Sequence, residues 1–229
     1  MAEGALRAGA HPSGWQGSTR ILSRRFLAPA VFELELERPA EFRFLPGQRL
    51  RLRREGCDRD YSIASGPGEP GLRLLIRLFP EGRMSPWLAA AAPGTAIEGS
   101  GPHGYFLFDP AGGTPVFVAA GTGVAPFRSM AAAGAAGFVL FQGARTEAEL
   151  FYRSLLEPRA GRYLGCLTRE RPPRPAGTRA GRVIDALRED LPPGSYDFYL
   201  CGRGEMIRDA LQVIDARFPG ARVFTEAFS

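Results

Sequence analysis

Two kinds of hydrophobic pattern run along the chain, and they change over near residue 110. Before it, VFELELER (31–38) and QRLRLRR (48–54) alternate strictly between apolar and polar positions. That period of two is the signature of half-buried antiparallel strands. RILSRRF, RDYSIAS, LRLLIRLF and TAIEGS are further short β-type runs, separated by turn signals at 46–47, 55–56, 66–71 and 93–94. Six short strands at this spacing predict a small antiparallel barrel, interrupted by one helix near SPWLAAAA. After 109–114 (DPAGGT) the runs become continuous and apolar, and each is followed by a helical pattern. PVFVAA leads to a helix from Pro126, GFVLFQG to EAELFYRSLL, RYLGCLT to GRVIDALRED, and YDFYLCG to EMIRDALQVIDARF, before RVFTEAF closes the chain. Alternation of this kind predicts an open parallel sheet of five strands with helices between them. The expected organisation is a loose leader over 1–17, an antiparallel β-barrel over 18–110 and an α/β domain over 111–229.

Composition narrows the function. A chain of 229 residues with 45% hydrophobic and 23% charged residues buries an ordinary core. No apolar run approaches the roughly 20 residues that span a bilayer, and the start has no apolar signal region. Three scattered cysteines fit neither a disulfide framework nor a cluster site, so a reducing, cytoplasmic setting is expected. The two histidines show no metal-ligand spacing, so no metal is expected. The net charge is +5, and every one of the 29 basic residues is an arginine. Acidic partners are therefore favoured electrostatically, whereas no basic block or nucleic-acid motif is present. Arginine at about one position in eight also means that only an arginine at a chemically specified place is informative.

Four segments meet that standard together. GTGVAPF (121–127) joins an apolar strand to a helix: Gly121 and Gly123 permit a tight turn and close backbone approach, and Pro126 suits the first helical turn. Its free amides favour a diphosphate. LCGRGEM (200–206) leaves another strand and sets Cys201 at the ligand-binding edge of the parallel sheet, beside a glycine that leaves room for a flat ring. In RDYSIAS (59–65), Tyr61 offers a stacking ring, Ser62 a hydrogen bond to a ring nitrogen and Arg59 a phosphate contact. GRMSPWL (82–88) enters a helix and offers a second anion contact.

RDYSIAS, GRMSPWL, GSGPHGYFLF, GTGVAPF, LCGRGEM and the terminal TEAF, in this order, resemble the ferredoxin–NADP reductase superfamily of flavoproteins over residues 18–229. The resemblance implies that Arg59 touches flavin phosphate, Tyr61 packs on the flavin ring and Ser62 approaches flavin N5. It implies that Gly82, Arg83, Met84 and Ser85 hold the diphosphate and that Ile76 and Arg77 line the rest of the cofactor. It further implies that Gly121, Thr122, Gly123 and Pro126 hold the pyridine nucleotide, that Cys201, Gly202 and Met206 lie at the nicotinamide, and that Glu226 and Phe228 border the flavin. Ser62, Cys201 and Glu226 are the expected catalytic set. FAD is expected rather than FMN, because Arg59 and GRMS offer two phosphate contacts. Arg145, or Thr168 with Arg169, would hold a 2′-phosphate and favours NADPH over NADH; Glu147 or Glu170 on the ribose hydroxyls would favour NADH. The implied activity is electron transfer between NAD(P)H and a separate acidic one-electron carrier such as ferredoxin or flavodoxin. An NAD(P)H:flavin reductase, an oxygenase reductase component and a non-catalytic docking subunit of the same fold are the alternatives.

Overall fold

A computed structural model describes residues 14–109 and 112–228. The N-terminal sheet is built from β1 (Trp15–Ala28), β2 (Val31–Glu37), β3 (Arg49–Arg54), β4 (Cys57–Ser62), β5 (Gly71–Arg77) and β6 (Ala96–His103), with helix α1 (Met84–Ala90) between β5 and β6. The strand order is β4-β3-β6-β1-β2-β5, antiparallel throughout. A bridge between Ile63 and Leu74 draws the two edges together, curling the sheet towards a barrel. The alternation read in the sequence drives the curl: Leu34 and Leu36 of β2, Leu50 and Leu52 of β3, and Leu72, Leu74 and Ile76 of β5 all point into one apolar core. β1 begins at Trp15, so the leader expected over 1–17 ends earlier: Trp15 packs edge-on against Phe42 inside that core. The remainder of that stretch, 1–13, lies outside the described residues.

The C-terminal sheet holds β7 (Thr114–Ala120), β8 (Val139–Ala144), β9 (Arg162–Leu167), β10 (Thr178–Ala180), β11 (Tyr196–Arg203) and β12 (Arg222–Phe228) in the order β10-β9-β8-β7-β11-β12, all parallel. Five strands were expected; the sixth, β10, is a three-residue edge strand beyond the proline-rich loop. Helices α2 (Ala125–Ala132), α4 (Val183–Glu189) and α5 (Gly204–Arg217) connect the strands as the periodicity predicts. The helix expected over EAELFYRSLL is broken. Only Arg153–Leu156 (α3) is α-helical, because Tyr152 sits at φ 61 and its hydroxyl donates to Glu33 of β2 at 2.8 Å. That partner lies 119 residues away, and it overrides the local helical preference.

The two sheets share a core. Val31, Ala64 and Leu75 of the first pack with Phe117, Val124, Phe127 and Met130 of the second. This junction places β5, and the Ala64 segment just beyond Ser62, beside the turn at Gly121–Val124.

Candidate active site

The two-residue turn at Glu55–Gly56, both residues at positive φ, sets the β3–β4 hairpin register. Ser62 thereby lies opposite Arg49, and Tyr61 opposite Leu50. On the other side of the junction, the β11–β12 register puts Cys201 beside Glu226 and Arg203 beside Phe228. The two pairs meet. The Ser62 hydroxyl donates to Glu226 Oε1, and Arg49 Nε lies 3.6 Å from Glu226 Oε2. Ser62, Cys201 and Glu226, which are 164 residues apart at the extremes of the hydrogen bond, form one buried cluster. A cleft of about 260 Å³, lined by Arg49, Tyr105, Phe106 and 224–227, opens along β12 onto Glu226.

Burial sets the protonation of this cluster. It raises the Glu226 carboxyl above its ordinary value, although the Ser62 hydrogen bond and Arg49 both work the other way. Burial, reinforced by Glu226, likewise pushes the Cys201 thiol well up, so Cys201 is a neutral, compact side chain rather than a thiolate. Arg49 was not among the residues singled out in the sequence as a site residue, and its signal was available: the hairpin turn pairs it with Ser62.

The glycine turn packs directly on this cluster. Gly121–Val124 forms a tight 3-10 turn leading into α2, with Pro126 in the first helical turn. A Cβ on Gly123 would fall 2.2 Å from the Cys201 carbonyl oxygen, so only glycine permits the turn to lie against β11. Gly121, at φ +57, faces open space where a Cβ would project, which leaves the turn accessible to a ligand, and Thr122 is half-buried between them. Met206 closes over Gly202: its Cε lies 2.7 Å from where a Cβ would stand.

The remaining expected residues divide. Tyr61 is largely buried against the barrel core, whereas Arg59 is exposed and donates only to the neighbouring Asp58 carbonyl at 2.8 Å, so its guanidinium can take a phosphate. Gly82 and Arg83 are exposed in a turn where Gly82 N donates to the Phe79 carbonyl. Ser85 Oγ accepts from Phe79 N at 3.0 Å and so braces that loop from within. Ile76 and Met84 have side chains buried in the barrel core, so a cofactor would meet mainly their backbones. Arg77 stands half-buried at the end of β5. Burial, then Arg145 and Arg203, lower its pKa, so three arginines lie near one another where β5, β8 and β11 end. Phe228 is partly buried against the shared core between the sheets.

Arg145, Thr168 and Arg169, read as alternative phosphate contacts, are one cluster: Arg169 N donates to the Arg145 carbonyl at 2.8 Å, and Thr168 N to the Ala144 carbonyl at 3.1 Å. Among the described residues neither guanidinium is paired with a carboxylate. The acidic residues weighed for NADH are engaged elsewhere: Glu147 faces Arg153 at 3.3 Å, and Glu170 accepts from Glu147 N at 2.7 Å. Two arginines of β3 are paired within the sheet. Arg51 forks onto Asp60 (2.6 and 3.0 Å) and Arg53 onto Asp58.

A curled antiparallel sheet joined to a parallel sheet, with a serine–carboxylate–thiol cluster and a glycine turn at the joint, defines a two-domain dinucleotide-linked oxidoreductase fold. The family models agree segment by segment: residues 27–108 match an oxidoreductase FAD-binding domain and residues 117–212 an oxidoreductase NAD-binding domain. The chain belongs to the ferredoxin–NADP reductase superfamily. It is 41% identical over 152 residues to ferredoxin–NADP reductase B of Sorangium cellulosum, covering 60% of this chain and 62% of that one. It is 32% identical over 211 residues to the reductase component of propane 2-monooxygenase from Rhodococcus jostii, covering 83% and 57% respectively. The chain thus spans about six tenths of these curated relatives. In fold it superposes on a ferredoxin NADP+ reductase from Neisseria gonorrhoeae with a TM-score of 0.80 at 24% identity, covering 93% of this chain and 98% of that one.

Proposed function

We propose that the protein is an NAD(P)H-dependent flavoprotein reductase that passes electrons between a pyridine nucleotide and a separate one-electron carrier of acidic surface, such as ferredoxin or flavodoxin. The observation that carries this reading is the buried contact between Ser62 and Glu226 beside Cys201, at the point where the FAD-binding and NAD-binding domains meet. When bound, FAD would supply hydride-accepting and one-electron-donating chemistry. The chain's part is positioning. Tyr61 offers its ring, Ser62 a hydrogen bond near N5, and Arg59 with the 82–85 turn the phosphate contacts. Gly121–Gly123 and Pro126 would hold the pyridine nucleotide, while the uncharged side chains of Cys201 and Met206, with Gly202, would border the nicotinamide. Glu226 and Phe228 border the flavin. The N-terminal domain would end near residue 110.

We assign NADPH as the donor. Arg145, Thr168 and Arg169 are linked through their backbones, and among the described residues neither guanidinium is paired with a carboxylate, although Arg145 N donates to Glu149 Oε2 at 3.1 Å; Glu147 and Glu170 are already engaged. Three free, buried cysteines fit a reducing, cytoplasmic compartment. Among the described residues no helix is long and apolar enough to cross a membrane. The similarity to a monooxygenase reductase component supports a second reading, in which the carrier belongs to an oxygenase.

The deciding experiment is an anaerobic titration of the purified protein followed by flavin absorbance. Bleaching by stoichiometric NADPH, with NADH much slower, is expected. A colourless protein that oxidises NAD(P)H only when free flavin is added would replace this reading with a flavin reductase. A protein without flavin or activity would replace it with a docking subunit.

A further inference from the structure

Helix α2 begins at the glycine turn, and it is buried along almost its whole length. Every residue from Ala125 to Ala131 is inaccessible, including Arg128 at 5% exposure. An arginine is rarely placed there unless its donors are used; here both terminal nitrogens are used, while Nε is buried without a hydrogen-bond partner among the described residues. Arg128 Nη1 donates to the Ala64 carbonyl at 2.7 Å and to Glu69 Oε1 at 2.6 Å, and Nη2 donates to Glu69 Oε2 at 3.1 Å. The next residue repeats the pattern, with Ser129 Oγ donating to the Ser65 carbonyl at 2.7 Å. Both accepting carbonyls belong to RDYSIAS, two and three residues beyond Ser62. Both donors stand five and six residues beyond Gly123.

The acceptor segment is itself held. Ala64 N donates to the Arg73 carbonyl, Arg73 N donates to Ser65 Oγ at 3.0 Å, and Gly66 N donates to Glu69 Oε1 at 2.8 Å. Gly66 lies so close to α2 that a Cβ there would fall 2.9 Å from the Ala132 Cβ. On the far side, Arg128 lies over the Tyr152 ring, whose hydroxyl is tied to Glu33. The nucleotide-side helix is therefore bolted to the flavin-side strand by short bonds at a buried joint.

We propose that Arg128 and Ser129 are positioning residues for hydride transfer: by fastening the glycine-turn helix to the Ala64 and Ser65 carbonyls, they fix the separation between the nicotinamide and flavin sites. The inference rests on the function proposed above, since it presumes that both rings meet at the Ser62–Cys201–Glu226 cluster. A fixed joint is what such a reaction requires, because a shift of ~1 Å between reacting groups costs about 10²-fold in rate.

The test uses the purified flavin-loaded protein and the variants Arg128→Gln, Arg128→Lys and Ser129→Ala. Oxidised NADP is titrated calorimetrically, and in parallel by the perturbation it causes in the flavin absorbance spectrum; anaerobic reduction by NADPH is then timed. Arg128→Gln is expected to bind NADP within about threefold of the parent, to lose most of the flavin perturbation and to be reduced at least ~10-fold more slowly. Ser129→Ala should show the same pattern at a few-fold, and Arg128→Lys, which keeps one donor but not the fork, should fall between. Full perturbation and rate in Ser129→Ala and Arg128→Lys would overturn the proposal, even if Arg128→Gln fails to fold. So would a loss that appears equally in calorimetric affinity, or a fall in melting temperature with unchanged rates. A parent protein that binds no NADP and is not reduced by NADPH would instead remove the function proposed above, and the positioning role with it.

Discussion

Glu226 is 6% exposed, accepts from Ser62 and faces Arg49; Arg169 is exposed, and its guanidinium has no carboxylate partner among the described residues. These residues mark two ends of the path assigned to the nicotinamide cofactor. At the first end the protein has already spent its hydrogen bonds on itself, so the geometry exists before any ligand arrives. At the second it holds backbone in place, through Arg169 N to the Arg145 carbonyl, and leaves the charged groups to be satisfied by a ligand. The first arrangement suits a reaction that needs fixed distances. The second suits discrimination between two donors that differ by one phosphate, where unpaired donors penalise the wrong ligand.

The contrast is broken most directly at the buried end. Ser62→Ala removes the donor to Glu226 and leaves a buried carboxylate with one partner fewer. Flavin should remain bound, because Arg59, Tyr61 and the 82–85 turn are untouched, while the rate of reduction by NADPH falls by about 10²-fold. A fall below about threefold in stopped-flow reduction would show that the pre-formed cluster is not what positions the rings.

Gly123→Ala tests whether the turn and the cluster are one unit. The added methyl would meet the Cys201 carbonyl at 2.2 Å, a backbone atom that cannot swing aside, so the turn must move away from β11. A loss of roughly 2–3 kcal/mol is expected, seen as a lowered denaturation midpoint together with weakened NADP binding. Parent-like stability would mean that the turn moves freely relative to Cys201.

At the exposed end the expected effect is smaller and selective. Arg169→Ala should raise the apparent KM for NADPH by about tenfold, the worth of one charge-assisted contact, and leave that for NADH nearly unchanged. Equal effects on both donors would remove the assignment of NADPH.

How much of this was legible in the sequence depended on the range of the contact. Strand β2 shows the in-and-out burial that VFELELE predicts, and the glycine turn lies where its strand–turn–helix context put it. Local turn chemistry held further information: the Glu55–Gly56 hairpin fixes Arg51 against Asp60 and Arg53 against Asp58, so both arginines are neutralised within the sheet. The bonds that assemble the site were not legible. Nothing near Glu226 announces Ser62, and nothing near Tyr152 announces Glu33, because each pairing is created by the packing of one sheet on the other. Arg128 carried no local signal beyond being a charge in an apolar helix.

The finest test concerns the protonation of Glu226. Its folded-state pKa is raised above the ordinary 4.5, chiefly by burial. A carboxyl raised in the folded state contributes stability that is fully present below its unfolded value and is lost as pH rises through its folded value. Cys201 and Asp60 do not share this window. Burial holds the Cys201 thiol neutral and Arg49 is a permanent cation, while the hydrogen bond from Arg51 keeps Asp60, although burial opposes it, below the usual carboxylate range. Glu226→Gln keeps an acceptor for Ser62 and removes the titration. Its melting temperature relative to the parent should therefore climb as pH rises above 4.5. Parallel melting curves across that range would mean that Arg49, at 3.6 Å, offsets the burial of the charge completely, and that the cluster is as tolerant of an anion as the open end of the site is in want of one.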